Sequence, residues 1–398
     1  MSVPLGIPTV NAPGDPGAVS ARVRTDLHDR APEAPLAGPL LDRFGRVGQD
    51  LRISLIDKCN LRCTYCMPAD GMAWLPKHML LTIDEVARLV RIGVDDLGVR
   101  ELRLTGGEPL VRRDLEDIIA RVHAEHPDLP ISITTNAIGL DKRAAALAAA
   151  GLTRINVSLD SIDADTFAEM TRRNRLQDVL DGIDAAHRAG LAPVKINAVL
   201  MKGLNDDQAP DLLEFCLERD LELRFIEQMP LDGDHGWTRD NMVTAAEMRT
   251  ALETRFVLVP DEEPRGGAPA ERWAVYAKPG NGAAVAGAPD ASGGTGAAPA
   301  DLGPRLGTVG IIASVTEPFC GACTRTRITA EGRVRSCLFS HEEFDLAAVM
   351  RAGEDDAAVS EVWRRAMWLK PRAHGMDHTG LDSADYVQPE RSMSAIGG

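Results

Sequence analysis

Three thiols fall within eight residues at Cys59-Asn60-Leu61-Arg62-Cys63-Thr64-Tyr65-Cys66, just after the apolar run from Leu51 to Ile56. A loop this short can set its sulfurs around one face of a cubane cluster, because thiolates are the usual ligands of cluster iron. Three cysteines leave one iron of the cubane without a protein ligand. That iron is open to a substrate, much as a catalytic zinc keeps one open position. The competing reading is a zinc knuckle that borrows a distant fourth ligand. A lone C-x2-C would favour zinc. C-x3-C-x2-C with Tyr65 directly before the last cysteine favours the cluster.

A second triplet follows far along the chain: Cys320-Gly321-Ala322-Cys323, then Cys337 fourteen residues later. Alone it is a common zinc pattern. Beside the first triplet, a second iron–sulfur cluster is the better reading, again with one iron lacking a protein thiolate. The remaining cysteine, Cys216, sits in Leu212–Leu217 and reads as a small buried hydrophobe. Thr105-Gly106-Gly107-Glu108-Pro109 is not a P-loop, since no Gly-Lys-Ser/Thr follows. Its glycines either permit a turn or let the backbone approach the ammonium group of a ligand. Arg325 and Arg327 alternate with Thr324 and Thr326, which points both arginines to one side. Arginine forks suit phosphates. Arg52, Arg103 and Lys195 fall at strand positions that could line a barrel interior, where cations are costly without an anion. A polyphosphate would supply one.

These residues need a scaffold, and the pattern between them supplies it. From Leu51 a short apolar run, a turn and an amphipathic helical stretch recur. The spacing predicts strands at Leu51–Ile56, Val99–Leu104, Ile131–Thr135, Arg154–Ser158, Val194–Val199 and Leu221–Ile226. Helices are predicted at Thr82–Gly93, Leu115–His126, Asp141–Ala150, Leu176–Ala189 and Ala209–Arg219, with Thr82 and Glu85 as a capping box. Strand–helix alternation implies parallel strands joined by crossover helices. Six units suggest a partial (β/α)6 barrel of TIM-like construction, not the closed eight-unit form. The cysteine loop follows the first strand and the Gly-Gly-Glu-Pro loop the second. Thr134 to Asn136, Ser158 to Ser161, and Glu227 with Met229 end the third, fourth and sixth. Polar groups thus recur at the C-terminal ends, where barrel enzymes place their chemistry.

After Pro230 the alternation stops. A helix at Thr244–Phe256, a strand at Thr308–Ile312 and a helix at Asp356–Lys370 outline a C-terminal α+β domain that carries the second triplet. The expected division is a disordered extension at 1–38, the barrel at 39–240 and the C-terminal domain at 241–398. A flexible Gly/Ala/Pro-rich insertion falls at Gly280–Pro304. The 398 residues are ample for this plan. No apolar run approaches the roughly 18 residues of a membrane span, and no secretory signal is present. A cytoplasmic, reducing setting is expected, so the seven cysteines are read as ligands rather than disulfides. A net charge of −15 argues against a nucleic-acid or membrane binder.

The first cysteine loop resembles the cluster loop of radical S-adenosylmethionine (SAM) enzymes, whose open iron chelates the amino and carboxylate groups of SAM. Taken together, both cysteine triplets, Leu104-Thr105-Gly106-Gly107-Glu108-Pro109 and the terminal Gly397-Gly398 resemble the GTP 3′,8-cyclase family of molybdenum-cofactor biosynthesis. The match runs from about Leu41 to Gly398, apart from the insertion. The resemblance implies that Cys59, Cys63 and Cys66 hold the SAM cluster, a [4Fe–4S] group. It implies SAM contacts from Tyr65, Gly107, Ser158 and Met229. GTP contacts fall to Arg52, Arg103, Thr134, Lys195, Arg325, Thr326 and Arg327. Cys320, Cys323 and Cys337 hold a second [4Fe–4S] cluster whose open iron meets the guanine ring. Arg52, Arg325, Arg327, Gly397 and Gly398 are implied in catalysis. The implied partners are an external electron donor, a downstream cyclic pyranopterin monophosphate synthase and a second copy in a homodimer. The family has glycine after Thr-Thr-Asn, where this chain has Ala137. The rival readings are another two-cluster radical SAM enzyme, such as a peptide-modifying maturase, and a two-cluster electron carrier. The basic residues and the Gly-Gly tail favour the nucleotide.

Overall fold

The computed structural model describes residues 15–263, 265–278, 302–374, 388–389, 391 and 393–396. Its first half runs α1 (Pro16–Arg30), β1 (Asp50–Ser54), α2 (Ile83–Asp95), β2 (Glu101–Thr105), α3 (Leu115–Glu125), β3 (Ile131–Thr135), α4 (Ala144–Ala149), β4 (Arg154–Ser158), α5 (Ala164–Thr171), α6 (Leu176–Arg188), β5 (Val194–Val199), α7 (Ala209–Leu217) and β6 (Glu222–Ile226). Then come α8 (Ala245–Leu252), β7 (Phe256–Pro260), β8 (Glu271–Ala277), β9 (Arg305–Ile312), β10 (Arg325–Ile328), β11 (Arg333–Arg335), β12 (Phe344–Asp345), α9 (Leu346–Arg351), α10 (Asp356–Trp368) and α11 (Met393–Ile396).

Strands β1 to β6 lie side by side in sequence order and pair in parallel. Along them the side chains alternate between two faces. Leu51, Ile53, Leu102, Leu104, Ile133, Ile155, Val157, Ile196, Leu223 and Phe225 are almost wholly buried in the apolar core. The intervening positions carry Asp50, Arg52, Arg103, Thr134, Asn156, Ser158, Asn197 and Arg224. Apolar residues on one face of each strand therefore fix its register, and the other face is left for polar groups. The Thr82–Glu85 capping box is formed, with Glu85 N–H donating to Thr82 Oγ1 at 3.2 Å and Thr82 N–H to Glu85 Oε2 at 2.8 Å.

The C-terminal residues extend this same sheet at both edges. Strand β10 pairs in parallel with β1, and β9 pairs in parallel with β6. Strands β11 and β12 continue outward from β10, and β8 and β7 from β9, all antiparallel. The boundary expected at residue 240 is therefore no break in the sheet. An open six-stranded sheet would leave both edges with unpaired backbone groups. Strands β9 and β10 satisfy them, and because β10 runs parallel to β1 and starts just after Cys323, it sets Cys320 and Cys323 at the opposite end of the strands from the first triplet.

Three sequence expectations change. The helix expected over Thr244–Phe256 ends at Leu252, and Phe256 opens β7. Helix α5 was not foreseen; Asp163 caps it by accepting from Thr166 N–H at 2.9 Å, and Phe167 and Met170 anchor it. The largest correction is at the N-terminus. Residues 15–38 belong to the expected disordered extension, yet α1 is a fifteen-residue helix with Asp15 as its cap and Pro16 at its first position. It packs on α9 and α10, buries Leu27 completely and pairs Arg30 with Glu342 at 2.6 Å. The helix has little amphipathic pattern of its own, so tertiary docking, not local periodicity, accounts for its order. Residues 1–14 of the extension and 280–301 of the insertion lie outside the described residues. Leu27→Ala is expected to destabilise the apo protein by about 2–5 kcal/mol. Urea unfolding should show a lower midpoint at unchanged slope. A shift below about 0.5 kcal/mol would mean that α1 does not dock. No described helix is long and apolar enough to cross a membrane.

Candidate functional site

The polar face of the parallel strands and the loops at their ends line one cavity of about 320 Å³. All six cysteines of the two triplets line it, as do Tyr65, Gly107, Thr134, Ser158, Met229 and the arginines Arg52, Arg103, Arg224, Arg325 and Arg327. None of the six is in a disulfide. The two triplets, more than 250 residues apart in sequence, thus face a shared space.

The first cysteine loop is held from three sides. Gly106 and Gly107 press against the chain just before it. Gly107 N–H donates to Ile56 O at 2.7 Å and Glu108 N–H to Lys58 O at 2.8 Å. A Cβ on Gly107 would come within 2.3 Å of Asp57 O and 2.5 Å of Lys58 O, so no side chain fits. From α5, the carbonyls of Thr171 and Met170 accept from Arg62 N–H at 3.0 Å and Thr64 N–H at 2.9 Å. From β4, Asp160 accepts the Tyr65 hydroxyl at 2.7 Å and Val199 N–H at 2.8 Å. Burial raises the Asp160 carboxyl to about 6. Glu108 is buried and accepts from Thr135 Oγ1 at 2.6 Å, Asn136 N–H at 2.7 Å and Leu110 N–H at 2.9 Å. Burial outweighs these donors and lifts it to about 7. Ala137, where the family has glycine, adopts a left-handed φ of 61°, so the alanine bears strain that glycine would not.

The second triplet is held by side chains from distant segments. Arg46 donates to Cys320 O at 2.7 Å and to Pro371 O at 2.6 Å, tying the cysteine turn to the segment after α10. Lys370 stands at Cys323 Sγ, 3.3 Å away. Burial alone would raise the Cys323 thiol, but Lys370 and Arg325 outweigh it and hold the thiol down at about 6. Cys59 behaves oppositely: burial, reinforced by Glu108, raises it to about 11.

The arginines form a cationic wall. Arg52 and Arg103 are register partners on β1 and β2, and Arg52 and Arg327 on β1 and β10. Arg224 on β6 donates to Asn156 Oδ1 at 2.5 Å. Burial, and then Arg52, lowers Arg103 to about 9. Burial also lowers Arg224, to about 10. Asp50 is the carboxylate among them, with Oδ2 at 3.3 Å from Arg52 Nη2. Burial opposes its ionisation, but Arg52 and Arg103 prevail and hold it at about 2. Arg52, Arg103, Arg224 and Arg325 each keep a buried Nε without a hydrogen-bond partner among the described residues. Such donors fit an anion with many acceptor oxygens.

Some expected site residues are placed elsewhere. Thr326 is fully buried and accepts Trp363 Nε1–H at 2.9 Å, so its side chain faces α10 rather than the cavity. Strand alternation dictates this, since Arg325 and Arg327 take the cavity face. Lys195 sits at the start of β5, does not line the cavity, and is ion-paired with Glu222. Gly397 and Gly398 lie outside the described residues. Arg224 carried no expected ligand role; its alternation with Leu223 and Phe225 was the available signal. Lys370 and His374 were not legible as site residues, and Glu227 was placed at the end of the sixth strand without a role. Glu227 is wholly buried and accepts from Ala245, Val315 and Thr316 N–H groups at 2.8, 2.8 and 2.9 Å. It fastens the loop after β9 to the end of β6.

Each triplet offers three thiols, the donor set that a [4Fe–4S] cluster takes. The thiols surround a shared space and have no disulfide partners. Among the described residues no His, Cys, Asp or Glu group converges closely enough for a single metal ion.

Residues 53–216 match the Radical SAM superfamily, and residues 299–376 match Molybdenum Cofactor Synthesis C. The GTP 3′,8-cyclase of Paenarthrobacter nicotinovorans is 63% identical over 359 residues, covering 90% of this chain and 97% of that protein. The GTP 3′,8-cyclase of Streptomyces coelicolor is 53% identical over 360 residues, covering 90% and 96%. That of Mycobacterium sp. (strain KMS) is 50% identical over 395 residues, covering 99% of each. With both matches falling on the segments that bear the cysteine triplets, the chain belongs to the GTP 3′,8-cyclase family of radical SAM enzymes.

Proposed function

We propose that the protein converts GTP to (8S)-3′,8-cyclo-7,8-dihydroguanosine 5′-triphosphate with SAM as co-substrate, the first step of molybdenum-cofactor biosynthesis. The observation that carries this is one cavity lined by two cysteine triplets and five arginines. In the reaction, the ribose 3′ hydrogen passes to the 5′-deoxyadenosyl radical, C3′ bonds to guanine C8, and one electron from the external donor with one proton closes the resulting radical. When bound, a [4Fe–4S] cluster on Cys59, Cys63 and Cys66 supplies the electron that splits SAM into methionine and the 5′-deoxyadenosyl radical.

The chain's own residues do the positioning. Cys320, Cys323 and Cys337 would hold a second [4Fe–4S] cluster on the opposite side of the cavity, toward the guanine. Arg52, Arg103, Arg325 and Arg327 neutralise the triphosphate, and Arg224 joins them from β6. Thr134 offers a hydroxyl to GTP. Tyr65, Gly107, Ser158 and Met229 contact SAM, with Tyr65 fixed by Asp160. The cavity wall keeps water from the radical. The protein works in the cytoplasm as a homodimer, takes electrons from an external donor and passes product to a cyclic pyranopterin monophosphate synthase. Nothing in the cavity favours the peptide-modifying alternative.

Anaerobic reaction of reconstituted protein with GTP, SAM and dithionite tests this. The cyclised nucleotide should form. SAM cleavage without any modified nucleotide would overturn the proposal. Arg325→Ala and Arg327→Ala should each weaken GTP binding about tenfold or more, the worth of roughly 1.5–3 kcal/mol per lost charge-assisted bond. Iron and sulfide content should stay at the wild-type level. Unchanged GTP affinity in both variants would assign these arginines to structure.

A further inference from the structure

Lys370 is only 2% exposed, yet it carries an ammonium group. Its Nζ reaches Arg325 O at 2.7 Å, Cys323 Sγ at 3.3 Å and Cys323 O at 3.4 Å. Three donors meet three acceptors, and none of the three is a carboxylate. A buried ammonium is costly unless an anion compensates it. The sulfur of Cys323 is the acceptor here that can become one. The lysine's placement is strongly fixed. It follows α10, whose Trp363, Ala366 and Met367 are in the core. Its own N–H donates to Met367 O at 3.0 Å. Arg46 then grips Pro371 O and Cys320 O together, so the lysine segment and the cysteine turn cannot separate easily.

We propose that Lys370 is a positioning residue for the second cluster, a fixed positive charge that donates to the Cys323 sulfur and raises the cluster's reduction potential. This rests on the reading that Cys320, Cys323 and Cys337 hold an iron–sulfur cluster. Hydrogen bonds to ligand sulfur and nearby positive charge stabilise the more negative, reduced state. The lysine does not line the cavity. Its effect therefore passes through Cys323 and not through contact with substrate.

The test compares wild type, Lys370→Met and Lys370→Arg after anaerobic reconstitution. Iron and sulfide are counted first, and the second cluster's midpoint potential is then read by an electron paramagnetic resonance titration. Cys59→Ala in every background leaves the second triplet as the one titrated site. In the Lys370→Met variant the reduction equilibrium should fall about tenfold, a drop of about 59 mV for one electron. Lys370→Arg keeps the charge and should stay within about threefold of wild type. Loss of the cluster in the methionine variant alone, with retention in the arginine variant, also supports the charge. A loaded methionine variant with the wild-type potential overturns the proposal. So does loss of the cluster in both variants, since shape rather than charge would then matter. A wild-type second site without iron and sulfide would instead overturn the two-cluster reading, a distinct outcome.

Discussion

Cys59→Ala should lose one cluster, about half of the iron and all SAM cleavage. Wild type should bind about eight irons per chain, the sum of two cubanes, and the variant about four. Among the described residues, none hydrogen-bonded to the Cys59 sulfur offers a substitute thiolate. Leu61 N–H donates to the sulfur at 3.4 Å, and the side chains of Asn60 and Asn136 lie near it, with Asn60 Oδ1 at 3.8 Å and Asn136 Nδ2 at 3.9 Å. Neither is an iron ligand of comparable strength. Glu108 has its oxygens engaged by three donors. A cluster left on Cys63 and Cys66 would lack the coordination needed to present its open iron. The same change removes little buried apolar surface, because Cys59 is only half-buried. Apo-protein stability should therefore stay within about 0.5 kcal/mol of wild type. That separates lost ligation from lost folding. A variant with eight irons and normal SAM cleavage would refute the assignment of Cys59. Zinc in place of labile sulfide in wild type would refute the cluster itself.

The sequence was most informative where chemistry and local pattern coincide. Strands β3, β4 and β5 fall at their expected residues because each pairs strict alternation with a turn at either end. Both cysteine triplets were legible from spacing alone. The convergence of the two triplets was not, because it depends on β10 pairing with β1 across more than 270 residues. No local period encodes such a pairing. The same limit hid Lys370, whose significance lies in reaching Cys323, and α1, whose order comes from α9 and α10. Gly107 shows the opposite ambiguity. Its type was read as an approach to ligand, but the structure also makes it an approach to Asp57 and Lys58. Both needs act on one residue, so substitution there cannot separate them. Thr326 was misplaced because a motif transferred as three consecutive residues ignores that a strand can point only alternate ones into the cavity.

Removing Gly397 and Gly398 should abolish the cyclised nucleotide while sparing both clusters and uncoupled SAM cleavage. Those glycines lie outside the described residues, but the chain leading to them is anchored. Gln388 Nε2 donates to Asp232 O at 2.6 Å, and Met393 N–H donates to Leu231 O at 3.1 Å. Arg391 pairs with Glu331 and, at 2.7 Å, with Glu343. Ile396 is 1% exposed, and Met393 lines the cavity itself. Glycines carry no side chains, so the last two residues can enter a crowded space and present backbone groups to the arginines. The anchors all lie at or before Ile396. A chain ending there should keep its fold, its iron and its wild-type unfolding midpoint. Its SAM cleavage should continue without product, because the residues proposed to contact SAM, Tyr65, Gly107, Ser158 and Met229, all precede the C-terminal segment. Product formation at the full-length rate would show the two glycines to be inert. Loss of iron along with product would instead make them structural.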